Sequence, residues 1–178
     1  MKLATLLLVL LLPATAAARW PTGSTRRLAA AARTVTDAAE AHGLAPELLG
    51  AVLVTETGVQ GIPGASAPVW GPGQVGKRWV EYLARRGYLS PGEGPEAMLD
   101  VVTGIWCAAA VLGYYSERVR GRGVHLVLSD YAMGEEGAKE IQVDSEYSRD
   151  VVGILRRVRG VLAAGLAMRG LCGNGGKS

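Results

Sequence analysis

Pro46-Glu47-Leu48-Leu49-Gly50-Ala51-Val52-Leu53-Val54-Thr55-Glu56-Thr57-Gly58 is the stretch on which the fold turns. Pro46 suits the first turn of a helix, where its missing N–H is no loss. Leu49, Val52, Leu53 and Glu56 then recur at helical spacing on one face. Gly58 follows as the stop. The apolar stripe that should dock into a core therefore ends in a carboxyl group. Burial disfavours the charged form of an acid, and the carbonyl end of a helix does the same. Both predict a raised pKa, and a carboxyl group kept protonated near neutral pH can serve as a general acid. A solvated helix-end Glu without a role is the alternative.

Outward from this stretch the pattern is helical nearly throughout. Ser24 or Thr25 is positioned to cap a helix over Arg26 to His42, closed by Gly43. Gly58 to Gly73 is rich in Gly and Pro and reads as an irregular loop, with room for a short hairpin in the 58–74 region. Loops of that length in a compact domain tend to be functional. A helix is expected from Val75 to Arg86, with Trp79, Val80 and Leu83 as its apolar face. The longest is expected from Glu96 to Arg120, apolar all round in its middle and so central. Val124 to Met133 should form a shorter helix stopped by Gly134. Ser145 to Met168 should be the last, with Val151, Val152, Leu155, Val158 and Leu162 inward and a loose tail over 170–178. The expected class is all-α.

The N-terminus reads as an export signal. Lys2 precedes about ten apolar residues, Leu3 to Leu12, and Pro13 and Ala16-Ala17-Ala18 prepare cleavage before Arg19. A membrane span needs roughly 20 apolar residues, so cleavage is expected and no stable membrane insertion afterwards. The domain is then 19–178, in the periplasm, outside the cell or at the wall. Without Lys2, 18 basic face 16 acidic side chains, scattered along the chain. That is no nucleic-acid signature. His42 and His125 are too far apart for a zinc-type cluster, and neither a phosphate loop nor a G-x-S-x-G elbow occurs. No metal or cofactor is expected. Cys107 and Cys172 allow one disulfide in an exported chain, and Cys107 suits an ordinary buried thiol equally well.

Three short motifs follow one another in a meaningful order. Thr55-Glu56-Thr57-Gly58 closes a helix; Trp70-Gly71-Pro72-Gly73-Gln74-Val75 follows; then come the Asp100 to Tyr115 helix and Asp130-Tyr131-Ala132-Met133-Gly134. Over roughly Ala45 to Leu155 this resembles the soluble lytic transglycosylase catalytic domain, a relative of goose-type lysozyme. The resemblance implies a lysozyme-like domain acting on peptidoglycan glycan strands, with Glu56 as the one catalytic acid. In that family a single Glu protonates the oxygen between N-acetylmuramic acid and N-acetylglucosamine. It then acts as base on the muramyl 6-hydroxyl, which closes on C1 as a 1,6-anhydro end. No second carboxylate is needed, unlike the paired acids of ordinary glycosidases.

The resemblance also implies substrate contacts at Gln74 and Tyr131, and glycines at Gly71 and Gly134 that let backbone approach the site. The family's Glu-Ser is Glu56-Thr57 here, which keeps a hydroxyl for a substrate contact. Its Leu-Met is Pro72-Gly73, and its Tyr-Asn-Ala-Gly has Ala132 for Asn. A later Tyr aligns with Asp150, and Tyr147, one turn earlier, is the candidate to replace it. Tyr114 and Tyr115 read as central packing or as sugar-stacking surface. Two other readings stay open. One is a lysozyme-type muramidase using Asp130 or Glu135 to activate water; the other is a non-catalytic wall-binding scaffold. A compact version of the family implies local work beside an envelope-spanning secretion or conjugation machine or a phage assembly.

Overall fold

The computed structural model describes residues 20–65, 68–120, 123–140 and 146–173, with backbone alone over 134–140 and 169–173. The export signal at residues 1–18 lies outside the described residues. The chain order is α1 (Ser24–Ala30), α2 (Ala32–Ala41), α3 (Pro46–Thr57), β1 (Val69–Trp70), β2 (Val75–Gly76), α4 (Val80–Arg85), α5 (Val101–Arg118), α6 (Val124–Glu140) and α7 (Glu146–Gly173). Short 3-10 turns at Lys77–Trp79 and Pro95–Leu99 lead into α4 and α5. The fold is all-α with one small antiparallel hairpin, in which Val69 pairs with Gly76 and Trp70 with Val75.

α3 begins at Pro46 as expected, but it is buried on more than one face. Leu49, Ala51, Val52, Leu53 and Val54 all have no exposed surface. It packs most extensively on α7 and also on α2 and α5. Burying one such Leu or Val contributes about 1.5–3 kcal/mol, so this helix and the middle of α5 form the heart of the core. On α7 the buried line is Val151, Ile154, Val158 and Leu162. Val152 and Leu155 are only half-buried; Ile154 takes the inward place expected of Leu155.

Several boundaries differ from the expected ones, each for a local reason. The first helix starts from Gly23 in the left-handed region (φ 79°), without a side-chain cap, and breaks at Ala31 (φ −90°, ψ 1°). Ser24 sits inside the helix, fully buried with its hydroxyl unpartnered among the described residues, and Thr25 accepts instead from the Trp20 indole at 3.1 Å. Val75 and Gly76 are strand, because they pair with β1 before the chain turns helical. Asp100 interrupts the expected helix over Glu96 to Arg120: it is extended (φ −63°, ψ 125°) and caps α5 by accepting from the Thr103 N–H at 2.8 Å. α6 runs straight through Gly134, since an interior glycine costs about 1 kcal/mol but stops a helix only when it turns left-handed. α7 passes Met168 and continues to Gly173. No helix of the described residues is long and apolar enough to cross a membrane.

Candidate active site

The C-terminal end of α3 is held on three sides. Gly58 adopts the left-handed conformation (φ 66°), and its N–H and that of Val59 close on Val54 O at 2.9 Å and Leu53 O at 3.0 Å. Val59 is itself left-handed (φ 64°) and 2 % exposed. For a β-branched residue that conformation stores on the order of 1–3 kcal/mol. From α1, Arg27 Nε donates to Gly58 O at 2.6 Å and Nη2 to Thr22 O at 2.9 Å. A guanidinium on the last carbonyls offsets the negative end of the helix.

Glu56 lies in this clamped last turn, partly buried. Burial pushes its carboxyl up from 4.5 to about 7, against the opposing effect of one hydrogen bond. That bond comes from Tyr147, in the first turn of α7, whose hydroxyl donates to Glu56 Oε1 at 2.6 Å. The desolvation that favours the neutral acid therefore outweighs the donor that favours its anion. A donor on Oε1 favours the tautomer of the neutral acid that carries its proton on Oε2. Tyr131 and Tyr147 are both pushed well above the ordinary tyrosine value, first by burial and then by the Glu56 charge, so both hydroxyls stay protonated.

The Thr57 hydroxyl faces the loop. It lies 3.1 Å from Gln60 O and 3.0 Å from Pro72 O, and it accepts from the Gln60 N–H at 2.9 Å. Gln60 returns the contact through Nε2 to Thr57 O at 2.7 Å. With donor and acceptor capacity both engaged on backbone, Thr57 ties the acid helix to the hairpin turn. The expected substrate contact at this position becomes a scaffold contact.

That turn, Gly71 to Gln74, docks into a groove of small residues on α5. A Cβ on Gly73 would lie 2.5 Å from Ala108 Cβ and 2.8 Å from the Tyr131 hydroxyl, so no side chain fits there. Gly104, one helical turn before Ala108, leaves the same kind of space for the Pro72 ring. The departure Pro72-Gly73 thus has a packing cause: the turn lies directly on the central helix. Gly71 is left-handed (φ 77°), and a Cβ there would run into Met98 O. Gly71 is a buried turn residue. Gln74 is left-handed as well (φ 50°), and its Nε2 donates to Ile62 O at 3.0 Å and Gly71 O at 2.9 Å. Its amide nitrogen therefore stabilises the turn, while its Oε1 has no partner among the described residues.

Tyr131, on α6, donates to Gly73 O at 2.7 Å and so latches the turn from the other side. It shares with Gln74 a cleft of about 300 Å³ whose wall also includes Lys77, Arg78, Trp79 and Met133. Glu56 is not part of that wall; its charge reaches Tyr131. Trp79 was expected only as core and Arg78 not at all. Arg78 donates to the Tyr115 hydroxyl at 3.0 Å, with its guanidinium 5.9 Å from the Trp79 ring. Their position depends on the hairpin, whose strand β2 carries no sequence signal beyond Val75-Gly76.

The remaining candidates separate cleanly. Tyr115 is 1 % exposed core, packed edge-on against Trp79, while Tyr114 is half-buried. Asp130 is buried and Ala132 exposed. Gly134, Glu135 and Cys172 fall where only the backbone is described. Cys107 is a buried free thiol, pushed up to about 12 by burial. No group of metal-binding side chains occurs among the described residues. No family model and no curated protein sequence matches the chain, so the site itself has to carry the functional reading.

Proposed function

We propose that the chain is an exported peptidoglycan lytic transglycosylase with a lysozyme-like domain. One observation carries the reading: a partly buried carboxyl group, raised to about 7, is held by the Tyr147 hydroxyl at the end of a buried helix. A single acid of that kind is poised to give a proton and then take one near neutral pH. Glu56 Oε2 protonates the glycosidic oxygen as the bond from C1 of N-acetylmuramic acid breaks, releasing the N-acetylglucosamine-led fragment as an alcohol. The Glu56 carboxylate then removes the proton of the muramyl 6-hydroxyl, whose oxygen forms the new bond to C1. The acid is restored, no water is consumed, and no cofactor is involved.

Tyr147 supports this cycle by stabilising the carboxylate half and orienting the proton on the other oxygen. Gln74 Oε1 and the cleft beside Tyr131 supply acceptor and ring surface for a sugar. Tyr147 donates to Glu56 where the family's later Tyr is replaced by Asp150. The partners under this reading are glycan strands, worked on locally beside a secretion, conjugation or phage assembly that crosses the envelope.

The test is digestion of purified peptidoglycan by residues 19–178, with Glu56→Gln alongside, and mass spectrometry of the fragments. Anhydro ends that vanish in Glu56→Gln are the expected result. Reducing ends would show hydrolysis, and binding without release would show a scaffold.

A further inference from the structure

A cavity larger than the cleft beside Tyr131 lies away from Glu56. About 880 Å³ opens where the end of α2, the end of α4 and the C-terminal half of α5 meet the start of α6. Leu48, in its wall, stands two turns before Glu56 on α3, some 12 Å along the axis at about 1.5 Å per residue. The volume falls within the range of about 300–1,000 Å³ usual for ligand pockets.

Its walls are rings. Tyr82 and Tyr114 meet edge to face at 5.7 Å on one side; His42 and Tyr88 lie tilted against each other at 5.3 Å on the other. The Tyr88 hydroxyl and His42 Nε2 are 2.9 Å apart, which fixes both rings. Gly113 forms the floor between them: a Cβ there would come within 3.1 Å of His42 Cβ. Burial lowers the His42 pKa against the pull of Glu117, so the imidazole is neutral at pH 7.

The charges around this space cancel. Arg86 and Arg120 bring two positive groups to the wall, and Glu117 brings one negative. The C-terminal ends of α2 and α5 also open here, at His42 and Val119. Each helix end adds roughly half a negative charge. The end of α4 at Arg86 and the start of α6 at Val124 add about half a charge of each sign, so among the described residues the wall is close to balanced and neither an anion nor a cation is selected. Donors and acceptors are both abundant, and ring faces flank them. An uncharged, polyhydroxylated ring matches that combination.

We infer that this cavity is a second carbohydrate-binding site for a neutral N-acetylhexosamine segment, separate from the cleft beside Tyr131. The two are divided by the aromatic cluster itself. Trp79 lines the cleft, Tyr82 and Tyr114 line the cavity, and Trp79 contacts both at 5.3 and 5.1 Å. A strand held at both places is gripped on either side of one rigid stack of rings. The sugar class rests on the reading above, but binding here does not depend on Glu56 chemistry.

The chain offers a separate reporter for each place. His42 is one of only two histidines, so its Cε1–H proton is easily followed by NMR. The Trp79 indole reports the cleft, and the Trp20 indole, held by Thr25, is the distant control. The full domain carrying Glu56→Gln is titrated with N,N′,N″-triacetylchitotriose. His42 is expected to shift to saturation while Trp20 stays still. Ser116→Trp, which fills the cavity from α5, should weaken the His42 response at least about tenfold and spare that of Trp79. Glu117→Gln, on the exposed face, should weaken it several-fold without a change in helicity. An unmoved His42, an undiminished shift in both variants, or a response to benzoate or benzylammonium but not to the sugar overturns the assignment. Loss of strand cleavage by the unmodified enzyme with the His42 shift intact would sink the catalytic reading and leave this one standing.

Discussion

The two glutamates of α3 sit nine residues apart on one helix and live in opposite electrostatic worlds. Glu47, in the first turn, is paired with Arg159 at 2.5 Å, and that hydrogen bond holds its carboxyl below the ordinary range. Glu56, in the last turn, is carried up to about 7 by burial, and a tyrosine hydroxyl is its partner. Same residue type and same helix give one structural anion and one exchangeable acid. What separates them is which neighbour α7 brings: Arg159 from its middle, Tyr147 from its first turn. Role follows environment, as it does for the paired carboxylates of lysozyme.

Glu56→Gln tests the contrast hardest. Strand cleavage should fall by about 10²–10⁴-fold, the usual worth of a positioned general acid. Stability should move the other way. A folded pKa raised from 4.5 to about 7 means that ionising Glu56 opposes folding. That cost is absent below about pH 4.5, grows as pH rises, and is complete above about pH 7, at about 3 kcal/mol. Denaturant unfolding should therefore find Glu56→Gln more stable than the parent at pH 8 and equal to it at pH 4. A variant no more stable than the parent at pH 8 would mean that ionising Glu56 does not oppose folding, as for an ordinary solvated acid.

Gly73→Ala comes next, since its methyl group would meet both Ala108 and the Tyr131 hydroxyl. Overpacking of that kind costs about 1–3 kcal/mol. Thermal unfolding should show a lower Tm, with cleavage reduced because the turn no longer seats beside the acid. Tyr147→Phe acts on the acid alone. It removes the donor that favours the carboxylate, so the Glu56 pKa should rise above about 7 and the descending limb of the pH–rate profile should move to higher pH. Unchanged limbs would remove Tyr147 from the site.

Glu47→Gln should do least. Arg159 is 71 % exposed, so the pair is worth at most about 1 kcal/mol. The sign is opposite to that of Glu56. A lowered folded pKa adds stability above the unfolded value of 4.5, lost as pH falls through the folded value. Parent and variant should therefore differ at pH 7 and converge in acid, with cleavage untouched.

Most helices were legible because their apolar residues repeat at 3.6 and because Pro46, Gly58 and Gly87 punctuate them. The misreadings fall where tertiary contact overrides that grammar. Asp100 breaks a run that looks continuous, because its carboxylate can cap Thr103. Val75-Gly76 looks like the start of a helix and is strand, because Val69-Trp70 lies alongside. In the site, Glu56 stood out as an acid on an apolar stripe, and Tyr147 as a tyrosine one turn from Asp150. Thr57 and Gln74 were legible as polar groups near the acid, but not that most of their hydrogen bonds go to backbone. Trp79 and Arg78 were missed as cleft residues, since nothing local distinguishes a cleft tryptophan from a core one.

By itself, then, the amino-acid order determined an all-α chain with an acid placed at the buried end of a helix. Helical periodicity and glycine stops are local rules, set within a few residues. The tertiary structure alone decided what that acid can do. Its desolvation comes from the structure packed around it and its hydrogen bond from Tyr147, 91 residues away, and the charge balance of the second cavity comes from four separate helices. Proton affinity depends on everything packed around a group, and only the folded chain assembles that.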